Sequence, residues 1–181
     1  MKQKGSRSMN EVIKNIKERR SVRAYRPEQI KEKELNEILE AGTYAPTGMG
    51  IQSPKIVVVQ DQETIKLLSE INAKIMGVSS DPFYGAPTVL VVLADSSRPT
   101  YVEDGSLVMG CLMLAAHSVG VDSCWIHRAR ETFETEEGKA LLIKWGIPEN
   151  YKGIANCILG YAADGAAGKA KPRKADYIVR I

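Results

Sequence analysis

The hydrophobic positions along the chain follow two spacings, one typical of helices and one typical of buried strands. Apolar residues that recur every three or four positions predict amphipathic helices at Glu11–Arg19, Lys31–Gly42, Gln62–Met76, Tyr101–Val119 and Glu136–Trp145. Short runs rich in β-branched residues predict buried strands at Lys55–Gln60, Val89–Leu93, Asp122–Ile126 and Lys152–Tyr161. Because strands and helices alternate, we predict a single α+β domain with a mixed sheet.

Several of these elements carry more specific expectations. The continuous apolar run in Lys55–Gln60 predicts a strand that is covered on both faces. Gly42 and Gly120 are expected to end their helices, since glycine is favoured as a C-terminal cap. Apolar residues cover much of the circumference of Tyr101–Val119, which predicts a central and largely buried helix.

The two ends of the chain differ from the rest. Residues 1–8 are polar and without pattern, so we expect a disordered extension or a cloning remnant, followed by one domain over residues 9–181. At the other end, Asp176–Ile181 alternates weakly between polar and apolar residues and is predicted to be a strand. Because it follows a flexible basic segment, we expect it to pair with the sheet edge of a neighbouring subunit.

Composition narrows the possible partners. The chain has 181 residues, 44% of them hydrophobic and 26% charged, which is ordinary for a soluble domain. A formal net charge of +3 and 6% aromatic residues give little support to RNA binding. Three widely spaced cysteines in apolar surroundings favour buried thiols in a reducing compartment, and no apolar run is long enough for a membrane span. We therefore expect a cytoplasmic protein that binds neither nucleic acid nor membrane.

Residues that carry out hydrolytic or metal chemistry are scarce in this sequence. No phosphate-binding loop of the Walker type is present, and Gly48-Met-Gly50 precedes a strand instead of opening a helix. Cys124 and His127 could be two metal ligands, but no second pair completes a site. His117 lies late in an apolar helix and is expected to be structural. If the protein is an enzyme, its difficult step belongs to a cofactor.

The most distinctive stretch is Arg19-Arg-Ser-Val-Arg-Ala-Tyr-Arg26, which holds four guanidinium groups within eight positions. Two interpretations remain open from the residues themselves. The arginines could end a helix, where cations offset the negative end of the dipole. Alternatively, together with Ser21, they could bind a multiply charged anion, since arginine matches phosphate oxygens two at a time.

Four segments together resemble the nitroreductase family of flavin enzymes: Arg19–Arg23, the loop Ala45–Gln52, Gly120–Ile126, and Gly160-Tyr161 with the Lys171-Pro-Arg173 tail. The similarity extends over nearly the whole chain from Met9. It implies an intertwined homodimer with exchange of the C-terminal strand, and a mixed, mainly antiparallel sheet flanked by helices. It also favours the anion-binding interpretation of the arginines.

The resemblance also implies a role for each matching residue. The phosphate of FMN would lie against Arg19, Ser21, Arg23, Lys171 and Arg173. Arg20 would approach the pyrimidine end of the flavin, and Asn72 would hydrogen-bond the flavin through its amide. The flavin ring would lie along Trp125, Ile126, His127 and Arg128. A loop from the other subunit would complete the site with Pro46, Thr47 and Gly48.

The resemblance implies an FMN-dependent NAD(P)H oxidoreductase. In such an enzyme, NADH or NADPH gives a hydride to flavin N5 and leaves, and a small acceptor such as a nitroaromatic or a quinone then takes its place. A flavin-binding sensor without catalytic activity is the alternative. The chain departs from the family pattern at two places: the loop lacks the usual Asn and Gln-Pro-Trp residues, and Arg128 stands where the family often has glycine.

Overall fold

A computed structural model describes residues 10–181 of the chain. Its helices are α1 (Glu11–Glu18), α2 (Glu32–Thr43), α3 (Gln62–Met76), α4 (Tyr101–Ser118), α5 (Ala129–Glu134) and α6 (Glu136–Lys144). Its strands are β1 (Lys55–Val59), β2 (Thr88–Asp95), β3 (Asp122–Ile126) and β4 (Tyr151–Gly160). The predicted N-terminal extension, residues 1–8, lies outside the described residues.

The four strands form one sheet in the order β1-β2-β4-β3, and every neighbouring pair is antiparallel. A single parallel bridge joins Ser21 to Ser123 of β3, so the prediction of a mainly antiparallel sheet is confirmed. Side chains of β2 alternate between two hydrophobic cores. Leu90 and Val92 pack with α2 and α4 on one face, while Val89 and Val91 pack with α3, α5 and α6 on the other. The sheet is therefore the middle of three layers.

Most predicted helices and strands are found within one or two residues of their predicted ends. Helix α1 is capped by the Asn10 side chain, which accepts a hydrogen bond from the backbone N–H of Val12 at 3.0 Å. Asp61 caps α3 in the same way through the N–H of Thr64 at 2.9 Å. Gly77, with φ 73°, ends α3 in the left-handed conformation that favours glycine.

Gly42 does not cap α2, because the helix continues through it to Thr43. A β-carbon at Gly42 would lie 2.6 Å from Leu112 Cδ2, so the glycine is needed where α2 and α4 pack together. The expectation for β1 is also wrong. This strand lies at an edge of the sheet, and Val58 is 39% exposed. Helix α4 is partly buried, with Leu107 47% exposed.

Two further differences concern short or terminal segments. The six-residue helix α5 has no counterpart among the predicted elements because it is too short to show a helical period. At the C-terminus, Asp176–Ile181 forms no strand within the chain, and Tyr177, Ile178 and Val179 are 79%, 74% and 81% exposed. An edge-pairing strand needs a partner edge, and this segment meets none among residues 10–181.

Candidate functional site

The arginine stretch crosses the end of the sheet where β3 starts and β4 ends. The N–H of Val22 donates to the carbonyl of Ser123 at 3.1 Å, and the N–H of Arg26 donates to the carbonyl of Tyr161 at 2.9 Å. Val22 is fully buried and anchors the segment in the protein. Backbone hydrogen bonds to two strands therefore hold the segment between these points in a fixed extended form.

One cavity of about 860 Å³ brings together the two basic clusters of the sequence. It is lined by Arg19, Arg20, Ser21 and Arg23 from the arginine stretch, and by Lys169, Lys171 and Arg173 from the C-terminal segment. These clusters are separated by about 150 positions in the chain. Like charges repel, so an anion bound in this cavity would offset the repulsion between the two clusters.

Arg19 is the most constrained of these cations. Its Nη1 atom is buried and has no hydrogen-bond acceptor among residues 10–181. A buried guanidinium nitrogen without an acceptor is costly, and an oxyanion in the adjoining cavity would remove that cost. Arg20 differs, because its Nη1 donates to the carbonyls of Lys17 and Arg19, both at 2.7 Å. Its position is thus fixed by the backbone around it.

Arg26 lies outside this cavity and has partners of its own. Its Nη1 atom is 3.0 Å from Glu28 Oε1, and its guanidinium carbon lies 5.2 Å from the centre of the Tyr161 ring. The side chain is half exposed. Arg26 is therefore a surface cation that pairs with Glu28 and stacks on Tyr161.

The predicted ring segment lies at the end of β3 and just beyond it. Trp125, His127 and Arg128 line a cavity of about 370 Å³, together with Ser106 of α4 and Gly153 of β4. Ile126 does not line it, because its side chain is buried in the core beneath α3 and α5. Of the four predicted residues, the structure thus brings the side chains of three together.

The Asn72 side chain lies inside the protein and lines neither the cavity of the basic clusters nor that of the ring segment. It is fully buried, and its Nδ2 donates to the carbonyl of His127 at 2.7 Å. Its Oδ1 atom is also buried and has no partner among the described residues. The side chain fixes the orientation of the peptide between His127 and Arg128 from below.

Arg128 has a backbone conformation that explains why glycine suits this position. Its φ of 73° and ψ of 18° lie in the left-handed region, which costs a residue with a β-carbon about 1 kcal/mol. The bend ends β3 and starts α5, and the Asn72 contact holds the peptide that precedes it. Glycine would adopt this conformation without that cost.

The loop with Pro46, Thr47 and Gly48 lies apart from both cavities. Thr47 and Pro46 line a separate cavity of about 590 Å³, with none of the arginines or ring-segment residues. The N–H of Gly48 donates to Asp104 Oδ1 at 2.9 Å, and the Thr100 hydroxyl donates to Asp104 Oδ2 at 3.2 Å. Within one chain, members of the basic clusters, of the ring segment and of this loop therefore line three separate cavities, while Gly48, Asn72 and Ile126 line none of the three.

Asp104 is a residue that the sequence analysis missed. It is 4% exposed on a face of α4 that otherwise buries apolar residues, and it holds the glycine loop in place. A carboxylate on the apolar face of a helix is a signal in the sequence, because carboxylates are rarely buried without partners.

The cysteines are structural in this fold. Cys124 and Cys157 are buried on opposite faces of the sheet, and Cys111 is half-buried. Burial, together with the nearby Cys124, raises the pKa of Cys157 to about 12, while Arg19 partly offsets this rise.

No group of three side chains that could bind a metal occurs within residues 10–181. In this part of the chain, no helix is both long and apolar enough to cross a membrane.

Comparisons with known proteins agree on one family. A family model described as the nitroreductase family matches residues 16–82. The crystal structure of a nitroreductase with bound FMN from Bacteroides fragilis is 34% identical to this chain, with a TM-score of 0.88, and covers 96% of this chain and 100% of its own.

Two curated relatives are similar over most of the chain. A protein of Archaeoglobus fulgidus, provisionally named NADH dehydrogenase/NAD(P)H nitroreductase, is 34% identical over 86% of this chain and 88% of its own length. The FMN reductase (NAD(P)H) of Bacillus subtilis is 26% identical over 90% of this chain and 70% of its own length. The sheet between helical layers is thus an α+β fold of the nitroreductase type. The chain belongs to the nitroreductase family.

Proposed function

We propose that this protein is an FMN-dependent NAD(P)H oxidoreductase that reduces a small electron acceptor. The observation that carries the proposal is the cavity where Arg19, with its unpartnered buried nitrogen, meets the basic C-terminal segment. FMN ends in a phosphate dianion, which matches such a cluster. The relatives support the same assignment, since one is a nitroreductase with bound FMN and another is an FMN reductase.

In this proposal, the phosphate lies against Arg19, Ser21, Arg23, Lys171 and Arg173, all of which line the cavity. Backbone hydrogen bonds of Arg19, Val22 and Arg26 hold the stretch that carries the first three, and the C-terminal segment supplies the other two. Arg20, whose Nη1 donates to the carbonyls of Lys17 and Arg19, would face the pyrimidine end of the flavin. Cations at that end would stabilise negative charge on a reduced flavin.

The ring of the cofactor would lie along Trp125, Ile126, His127 and Arg128. Ile126 would contribute through its backbone, since its side chain is in the core. We assign Asn72 a positioning role: its Nδ2 donates a hydrogen bond to the His127 carbonyl at 2.7 Å, and this contact fixes the direction of the N–H of Arg128. The direct contact with the flavin that the resemblance implies for Asn72 stays a prediction beside this role, and the Oδ1 atom without a partner among residues 10–181 would be the atom to make it.

FMN, when bound, supplies the chemistry that accepts a hydride from nicotinamide and passes reducing equivalents to the acceptor. The residues of the chain bind, orient and shield it. No side-chain acid is required near the ring, in keeping with the scarcity of histidines. Trp125 provides a flat apolar wall against which aromatic substrates can pack.

We expect the purified protein to carry yellow FMN that NADH or NADPH bleaches under anaerobic conditions. Addition of a nitroaromatic or quinone should then restore the colour, because reduction and reoxidation are separate half-reactions. Anaerobic absorbance spectroscopy in the flavin bands measures both steps. Bound flavin that neither nicotinamide reduces would favour a sensor over an enzyme, and a protein that stays colourless with added FMN would contradict the whole proposal.

We further propose that the protein is a homodimer in which Pro46, Thr47 and Gly48 of one subunit complete the site of the other. In one chain, the loop with Pro46 and Thr47, the ring segment and the basic clusters line three different cavities. A second copy of the chain could bring its loop to the ring segment and basic clusters of the first. Exposed apolar side chains support this: α1 has no buried residue, and Val12, Ile13 and Ile16 are at least 50% exposed. The exposed apolar C-terminal segment could add to the open edge of β1 in a partner.

Replacement of Ile13 by Glu on α1 should shift the protein toward monomer and lower its FMN content, because it places a charge in the proposed interface. Analytical ultracentrifugation together with the ratio of flavin to protein measures both effects. Ile143→Glu is the matched control, since Ile143 is 76% exposed on α6 and should change neither quantity. A wild-type protein that sediments as a monomer would contradict the homodimer.

A further inference from the structure

The cavity beside the ring segment combines an aromatic wall with two guanidinium groups. Trp125 forms the wall, Arg128 and Arg130 supply the cations, and Ser106 adds a hydroxyl. Its volume of about 370 Å³ is in the range of sites for small ligands. The carboxylate of Glu131 also lines this cavity, so it offsets the charge of one of the two arginines.

The two arginines differ in how they are held. Arg130 is engaged, since its Nη2 donates to the Tyr101 hydroxyl at 2.7 Å and its guanidinium carbon lies 5.9 Å from the centre of that ring. Arg128 has no carboxylate within 4.0 Å among residues 10–181, although it is half-buried. Arg128 therefore presents a charged side chain without an internal partner.

The backbone at Arg128 gives an independent reason to assign it a role. It is one of four residues other than glycine with positive φ in the described chain, and glycine would take this conformation without strain. Arg128 is a strained arginine that lines a cavity and belongs to the segment proposed to hold the flavin ring, and residues with backbone strain cluster at ligand contacts.

We propose that Arg128, supported by Arg130, binds an anionic group of one of the two substrates that exchange over the flavin. This rests on the proposed function: the flavin ring would lie against the backbone of residues 126–128, and the Trp125 cavity beside it would be the space that a substrate enters. The group is a carboxylate on an aromatic acceptor or the 2′-phosphate of NADPH. Both offer paired oxygens that match a guanidinium fork, and the aromatic acceptor would also pack against Trp125.

Binding without turnover provides the first test. Isothermal titration calorimetry on the protein as purified compares benzoate with neutral benzamide, and adenosine 2′,5′-bisphosphate with 5′-AMP. Arg128→Gln keeps the β-carbon and loses the charge. In this variant we expect either benzoate or adenosine 2′,5′-bisphosphate to bind about tenfold more weakly than in the wild type, while the affinity for its partner in the pair, benzamide or 5′-AMP, stays the same. Arg128→Lys should recover part of the loss, and Lys33→Gln, an exposed charge on α2, is the control.

Steady-state kinetics then identifies the source of the anion. If it is the acceptor, kcat/KM for 4-nitrobenzoate falls about tenfold relative to 4-nitrobenzamide in Arg128→Gln, while the ratio of NADPH to NADH efficiency stays constant. If it is the 2′-phosphate, that ratio falls about tenfold and the two acceptors change equally. Arg128→Gly, which relieves the backbone strain, should fold normally and show the same loss as Arg128→Gln.

The assignment of Arg128 would be overturned if Arg128→Gln and the wild type showed the same affinity ratios for both ligand pairs in calorimetry and the same efficiency ratios in kinetics. That result is distinct from a failure of the proposed function, which would appear as wild-type protein that binds no FMN or is reduced by neither nicotinamide. The calorimetric comparison requires no turnover, so it tests Arg128 in either case.

Discussion

Replacing Arg19 and Arg23 by alanine is expected to weaken FMN binding by about 100-fold or more while leaving riboflavin binding nearly unchanged. Each charge-assisted contact to a phosphate is worth roughly 1.5–3 kcal/mol, or about 10- to 150-fold in affinity, and Arg23 should lie at the lower end because it is exposed. Riboflavin lacks the phosphate, so it does not report these contacts. Fluorescence titration of the flavin-free protein with both ligands measures the difference.

The same cavity provides graded comparisons. Lys171→Ala and Arg173→Ala should each weaken FMN less than Arg19→Ala, because both side chains are exposed and their contacts are screened by solvent. Arg26→Ala is the matched control, since Arg26 pairs with Glu28 instead of lining the cavity. Equal weakening of FMN and riboflavin in the Arg19 and Arg23 variants would contradict the phosphate assignment.

Replacing Gly153 by alanine should destabilise the folded protein by about 3 kcal/mol or more. A β-carbon at this position would lie 2.3 Å from the carbonyl oxygen of Ala129 and 2.9 Å from the backbone N of Arg130. Both contacts are to backbone, so side-chain rotation cannot relieve them and β4 must move away from α5. Denaturant unfolding followed by circular dichroism measures the loss.

Gly168→Ala is the matched control for this experiment. A β-carbon there would have nothing within 4 Å, and the free energy of unfolding should change by less than about 0.5 kcal/mol. Because Gly153 also lines the cavity with Trp125 and Arg128, the strained variant should disturb flavin binding as well. A loss below about 1 kcal/mol in Gly153→Ala would show that β4 and α5 can separate more easily than their packing implies.

Local sequence patterns predicted most of the secondary structure because the responsible interactions are themselves local. The helical period and an acidic cap at Asp61 determine where α3 begins, and a left-handed glycine at position 77 ends it. The apolar run over Val89–Leu93 is typical of a strand that is covered on both faces. In the structure, helices cover both faces of the sheet at β2. The same argument failed for β1, because a run of valines does not show whether a strand is central or at an edge.

Features that depend on contacts between distant segments were not predictable in this way. Gly42 was expected to cap a helix, but the approach of Leu112 from α4 gives it a packing role. Asp104 was missed because its partners, Gly48 and Thr100, meet it only after the loop folds over α4. The partner of Asn72 is the His127 carbonyl, 55 positions away in sequence, and no local pattern indicates this contact.

The sequence by itself determined the order of the elements, the two basic clusters and, through resemblance, the family to which the chain belongs. The tertiary structure decided that the two basic clusters line one cavity, that Asn72 acts on a peptide, and that Arg128 is held in a left-handed bend. The reason is physical: helices and strands follow from the spacing of neighbouring side chains, whereas a binding site is formed by residues that only the folded backbone brings within contact distance.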